Sequence, residues 1–334
     1  MTLPRSKLIV SGTALAALAA LAAAPQLLRR PIGSAAASLG GADPRLLWLA
    51  GLGFALAFVC TIGAWRAAFA AAGGRICPRQ AAARLGVGAL VNSFAPAKLG
   101  DAVKVALCAK AIEGPGRMWT AGGVYAGLAA ARSLALAALV VVASATGALP
   151  LWPAFALCGA VLAIAAIALS STRLRSHPRL ARVLEGIAAI ERSPRTALVV
   201  LGWSFGMQLA RLGATMAVAV ALGLPHPVLA ALVILPALDV AAAFPLTPGS
   251  IGIGSGAVAV ALATRGIGMS QALGVGFAVQ AVETLVSLAA GTAGALYLAP
   301  RPGAAARRWT LRVAAVGASA AFAAAFGVFL LDLV

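Results

Sequence analysis

Apolar runs long enough to cross a bilayer recur along this chain, near residues 8–24, 46–69, 120–148, 151–170, 196–222, 271–298 and 310–331. A helix needs about 20 such residues to span the hydrocarbon core. The runs are therefore read as seven transmembrane helices, and the chain as an all-α, polytopic integral membrane protein forming one transmembrane domain over 1–334. Composition agrees, since 62% of residues are hydrophobic and 10% charged, too apolar for a soluble core.

Two stretches break this pattern. Between Leu232 and Thr264 the chain stays apolar, but Pro236, Pro245, Pro248, Gly249, Gly252, Gly254 and Gly256 forbid one continuous helix. Broken backbone at membrane depth survives only under protein cover or beside a polar cavity, and broken segments recur at the binding sites of transporters. A helix restarting after Thr247-Pro248-Gly249 aims free amide groups and a positive dipole end at that cavity, which suits an anion. Pro248, Gly249 and Gly252 are thus candidate anion-binding residues.

From Gly86 to Leu107 a short apolar piece, a break at Pro96 and a charged restart repeat the theme. This element, 86–107, is read as a re-entrant counterpart of 232–264; an inverted repeat of the two halves is one arrangement this allows. Asn92 and Ser93 would satisfy freed backbone groups. Lys98, Asp101 and Lys104 recur at intervals of three and share one side of a helix. A competing reading makes this segment an amphipathic surface helix with solvated charges.

Four charges lie inside apolar helices: Arg132, Arg211, Asp239 and Glu283. Such groups are costly in hydrocarbon, so they face partners or a wet cavity. Two bases and two acids can pair as structural salt bridges. Alternatively an arginine, with Lys98 or Lys104, holds a lipid phosphate while Asp239 or Glu283 balances charge or carries a proton. Sequence spacing does not pair them.

The net charge of +18 is unevenly spread. With the N-terminus cytoplasmic, 20 of the 26 basic residues fall in inside segments, including the basic loop 171–195, and four (Arg29, Arg30, Arg45 and Arg265) fall outside. The positive-inside rule then orients the chain with its N-terminus cytoplasmic and its C-terminus outside, in a bacterial-type inner (plasma) membrane. The same bias favours anionic lipid headgroups as partners over nucleic acid, for which no recognition fold is present. A homo-oligomer or a partner enzyme is left open. The LARVLEGIAAIER run within 171–195 reads as a short amphipathic helix on the membrane surface, and Gly202-x-x-x-Gly206 as a helix-packing face.

Residues 1–24 suit either a cleaved signal peptide or a first membrane helix. Cys60, Cys77, Cys108 and Cys158 are scattered, and His177 and His226 lie in loops, so neither a metal site nor a disulfide framework is expected. No cofactor motif, P-loop, nucleophile elbow or paired-carboxylate motif is present. An enzyme would have eight acidic residues to work with, and the chain is expected not to be one.

Two motifs resemble a known family. Asn92-Ser93-Phe94-Ala95-Pro96-Ala97-Lys98-Leu99-Gly100-Asp101-Ala102-Val103-Lys104 looks like the N-x-x-x-P-x-(R/K)-x-G-(E/D)-x-x-(R/K) stretch in the membrane domain of lysylphosphatidylglycerol synthase/flippase and its stand-alone relatives. Phe244-Pro245-Leu246-Thr247-Pro248-Gly249-Ser250-Ile251-Gly252-Ile253 is similar to that family's P-x-T-P-G-G-L-G-V. Arg132 resembles its helix arginine. Gly254-Ser255 stands where the family usually has Glu, so no carboxylate role carries over there. The resemblance covers about residues 5–300. It implies a lipid transporter or flippase-like protein that moves an anionic phospholipid or polyprenyl-linked lipid between leaflets. No aminoacyl-transferase domain follows, so lipid aminoacylation is not expected. A lipid-modifying membrane enzyme and an accessory scaffold for a lipid or cell-envelope biosynthesis enzyme are the rival readings.

Overall fold

The computed structural model describes residues 42–94, 99–114, 116–150, 159, 178–243 and 252–299. Within them the chain forms nine helices: α1 (Pro44–Ala71), α2 (Pro78–Phe94), α3 (Leu99–Ala109), α4 (Arg117–Ala145), α5 (Pro178–Glu191), α6 (Pro194–Ala221), α7 (Pro227–Ala243), α8 (Ile253–Ala263) and α9 (Met269–Leu298). No strand occurs among the described residues. Five of these helices open on proline, whose fixed φ and missing N–H suit the first turn. Asp43 and Ser193 cap α1 and α6 through their side chains.

α1, α4, α6 and α9 are long and apolar enough to cross a membrane. They coincide with four of the seven apolar runs; the runs at 8–24, 151–170 and 310–331 lie outside the described residues, apart from residue 159. The helix lengths repeat, as 28, 17, 11 and 29 residues in α1–α4 and 28, 17, 11 and 30 in α6–α9. Each half is thus a long helix, two short ones and a second long helix. At 1.5 Å per residue the 17- and 11-residue helices rise about 25 and 17 Å, short of the roughly 30 Å hydrocarbon core.

The short helices pair as hairpins around the two sequence breaks. Both elements begin earlier than expected, at Pro78 and Pro227 instead of 86 and 232: the polar residues Arg79, Gln80 and Arg84 do not interrupt helical backbone in the first, and the apolar residues Val228 to Ala231 extend the second. In the first hairpin Gly88 and Gly100 bring α2 and α3 into backbone contact, with the Lys104 stem across Gly88.

An antiparallel α1–α6 pair runs through the middle. Gly53 abuts Ala214, Gly63 lies against the Trp203 ring and Gly206 faces Cys60. At one end of this pair Ala64, Trp65, Phe69, Leu85, Cys108, Val124 and Leu128 form a core around the first hairpin. At the other end Ala50, Phe54, Val218, Ile234, Leu238, Val258, Leu262 and Val275 form a core around the second. α9 touches both hairpins: Gly276 sits on Ser255 of α8, while Gly291 and Gly294 sit on Gly86, Leu90 and Ala83 of α2.

Two packing expectations change. Gly202 has open space beside it, so Gly202-x-x-x-Gly206 is no packing face as a pair. The close small-residue contact is instead Gly123 and Gly127 of α4 against Val183, Gly186 and Ile190 of α5, which run side by side in the same direction. The LARVLEGIAAIER segment is indeed helical, but α4 takes its small-residue face, since a glycine on each helix lets the backbones meet.

A methyl added at Gly86 meets the Ala290 carbonyl, whereas one at Gly202 meets nothing. Thermal unfolding in detergent should show Gly86→Ala less stable by roughly 1–3 kcal/mol, the usual cost of overpacking. Gly202→Ala should be neutral or slightly stabilising, as expected for an unhindered helix glycine.

Candidate functional site

The first hairpin carries its polar residues beside its break. Asn92 is in the last turn of α2 and Asp101 in the first turn of α3, where a carboxylate favours the positive helix end. Asp101 accepts hydrogen bonds from Asn92 Nδ2 (3.0 Å), Lys104 Nζ (2.8 Å) and the Tyr125 hydroxyl of α4 (2.8 Å). Three donors on one carboxylate tie the hairpin's end to a long helix. Asp101 and Lys104 are largely buried, so the reading of this segment as a surface helix with solvated charges is overturned. The reason is that the charged face of α3 turns inward, where partners replace water.

The second half repeats this with other residues. Arg211 of α6 donates from Nη1 to Asp239 of α7 at 2.7 Å and to Gln208 Oε1 at 3.4 Å, while Gln208 Nε2 reaches Asp239 at 3.3 Å. Glu283 of α9 stands 3.9 Å from Arg211 Nη2 and is 42% exposed at its side chain. Of the two branches left open for Arg211, a protein carboxylate is therefore its partner, with Asp239 close and Glu283 distant.

Both clusters face one cavity of about 530 Å³. Phe54, Ala57, Phe58 and Thr61 of α1, and Met207, Gln208 and Arg211 of α6, form its middle. Ala57, Phe58 and Thr61 stand as far from the start of α1 as Met207, Gln208 and Arg211 do from the start of α6, so the two halves offer matching positions. Leu85, Ala89, Asn92, Asp101 and Lys104 come from the first hairpin, Asp239 and Ala242 from the second. Ser133, Leu136 and Arg132 of α4, with Glu283, Val286 and Ser287 of α9, close the sides. The space lies between the two cores, where the halves meet.

Arg132 differs from the other cavity cations. Among the described residues it has no hydrogen bond or ion pair with a carboxylate, and it is exposed. A guanidinium there presents five donors in a fork that matches a phosphate or carboxylate. The site can hold an anionic group against Arg132, with hydroxyls and amides of Ser133, Asn92 and Ser287 on the same walls.

Of the residues singled out in sequence, Asp101, Lys104, Arg132, Arg211, Asp239 and Glu283 all line this cavity. Gly252 does not; it starts α8 at φ +91°, a conformation suited to glycine. Lys98, Pro248 and Gly249 lie outside the described residues. Lys104 and Arg211, offered as candidate anion-binding cations, each have a protein carboxylate within 2.8 Å, which for Arg211 is the salt-bridge alternative left open above. Tyr125, Thr61, Ser133 and Ser287 were missed. Tyr125 was within reach of sequence reasoning, as a tyrosine seven residues before Arg132 shares its helix face.

No metal-binding group of His, Cys, Asp and Glu is found among the described residues. The fold and the polar cavity define a polytopic helical membrane protein. Residues 8–291 match the family described as the Lysylphosphatidylglycerol synthase TM region, and the chain belongs to that family. It is thereby a lipid-related membrane protein, and the resemblance drawn from the two motifs is correct. No curated protein matches it.

Removing one member of a buried ion pair strands the other, at a cost of roughly 3–5 kcal/mol. Arg211→Ala and Asp239→Asn should each lower the unfolding temperature markedly. The double substitution should lose less than the sum by about 0.5–3 kcal/mol. Additive losses in a thermal-shift cycle would show that the pair is not coupled.

Proposed function

We propose that this chain binds a lipid phosphate in the central cavity and moves the lipid between leaflets without changing it covalently. The observation that carries this reading is Arg132, a cavity cation without a carboxylate partner among the described residues. An unpaired cation at membrane depth costs roughly 3 kcal/mol or more, which a bound phosphate recovers. Paired broken elements around a polar midpoint are how many transporters build their substrate sites, and membership in a lipid-related family supports a lipid as the substrate. The partners in this reading are anionic membrane lipids.

The proposed topology has seven crossings, the four long helices together with the runs at 8–24, 151–170 and 310–331, in a bacterial-type plasma membrane. The N-terminus is cytoplasmic and the C-terminus outside. The antiparallel α1–α6 and α2–α9 registers support it, since alternate crossings then carry the basic loops on one side. Cysteine labelling of a cysteine-free background should find positions beside Arg182 reactive from the cytoplasm and beside Gly268 from outside; the reverse pattern overturns the orientation.

The function is tested by leaflet exchange in proteoliposomes, with Arg132→Gln as the decisive variant. Wild type should exchange a fluorescent anionic phospholipid, and Arg132→Gln should reduce the rate by about tenfold or more at unchanged folded yield, the equivalent of one lost charge-assisted contact. A change in lipid mass points to an enzyme. Wild-type exchange by Arg132→Gln removes the cavity from the mechanism.

A further inference from the structure

Arg132 lines two spaces. Besides the large cavity it borders a small cleft between α1, α4 and α6, where Thr61 and Trp65 of α1 meet Leu128 of α4 and Trp203 and Ser204 of α6. The cleft encloses about 10 Å³, roughly the least that admits one water molecule. Its two hydroxyl residues have each spent their proton inside their own helix. Thr61 Oγ1 donates to the Ala57 carbonyl and Ser204 Oγ to the Val200 carbonyl, both at 2.9 Å. What each oxygen has left to offer is lone pairs. Arg132 is the complement, because a guanidinium only donates. A bidentate phosphate engages two of its five N–H groups, and at membrane depth the others need acceptors as well.

Resting on the lipid-binding reading above, we propose that Thr61 and Ser204 position Arg132 through one water molecule bound in this cleft. The water donates to both hydroxyl oxygens and accepts from one guanidinium N–H, three bonds in all, the usual number for a buried water. That holds one edge of the guanidinium and leaves the other free for a phosphate, so less ordering is lost when the ligand binds. Thr61 and Ser204 belong to the antiparallel α1–α6 pair, whose close contacts at Gly63 and Gly206 fix their spacing. The water thus ties the cavity cation of α4 to the central helix pair. Ser204 lines the cleft and not the large cavity, so its effect on a bound lipid passes through Arg132.

The test uses the full chain in phosphatidylcholine vesicles, with fluorescent phosphatidylglycerol at rising mole fraction. Ser204→Ala and Thr61→Val should each raise the half-saturating mole fraction about three- to tenfold, the worth of one hydrogen bond. The maximal rate and the unfolding temperature should stay near wild type. Thr61→Ser, which keeps the oxygen, should return the wild-type value. In an Arg132→Gln background Ser204→Ala should add nothing further. Half-saturation unchanged in both Ser204→Ala and Thr61→Val, or a full extra loss in the Arg132→Gln background, overturns the positioning role while the lipid reading stands. An experimental map that resolves ordered solvent should show one water bonded to Arg132, Thr61 Oγ1 and Ser204 Oγ, and a dry cleft refutes the proposal whether or not lipid moves. Wild type that exchanges no lipid refutes the lipid reading, and that map then decides the water site by itself.

Discussion

A helix that stops halfway across a bilayer leaves backbone groups that hydrocarbon cannot satisfy, and the rest of this structure answers that constraint. α2–α3 and α7–α8 are too short to cross, so other helices must cover them. The paired α1 and α6 carry one hairpin's core at each end, and α9 seals one hairpin with each of its halves. The glycines fall where this cover is closest. Gly86, Gly276, Gly291 and Gly294 bring backbone against backbone, which side chains would prevent.

Two apolar cores, one around each hairpin, leave a polar layer where they meet. Each hairpin sends one aspartate into that layer, from opposite sides of its break: Asp101 follows the first and Asp239 precedes the second. Each is met by donors from a long helix, Tyr125 of α4 or Arg211 and Gln208 of α6. These bonds place the ends of the hairpins and also remove two cations from any ligand's reach. Charge among the described cavity residues is therefore mostly spent on architecture, with Arg132 and the more distant Glu283 left outside these two clusters.

The halves match in helix lengths but not in packing. α9 meets α2 through glycines, whereas the corresponding stretch of α4 carries Leu139 and Val142 and keeps greater distance from α7. α4 spends its own glycines, Gly123 and Gly127, on α5. The wall of α4 facing the cavity, with Tyr125, Arg132, Ser133 and Leu136, thus differs chemically from that of α9.

By itself the sequence determined the helical class, the four long helices now described, the helix ends at Phe94 and Ala243 that precede Pro96 and Pro245, and the family. Those follow from local physics: apolar length, proline's missing donor and motif spacing act within a few turns. It also marked Arg132, Arg211, Asp239 and Glu283, because a charge in an apolar run is conspicuous wherever it points. What only the tertiary structure decided is who faces whom. Lys104 has its carboxylate three residues away on its own helix, a spacing already visible in the sequence, whereas Arg211 had no assigned partner until the fold brought Asp239 to 2.7 Å. Asp239 lies 28 residues from Arg211 and Tyr125 lies 24 from Asp101, separations over which no helical period holds. Pairing at that distance depends on how whole helices pack, and so does the finding that, among the described cavity residues, Arg132 has no carboxylate partner.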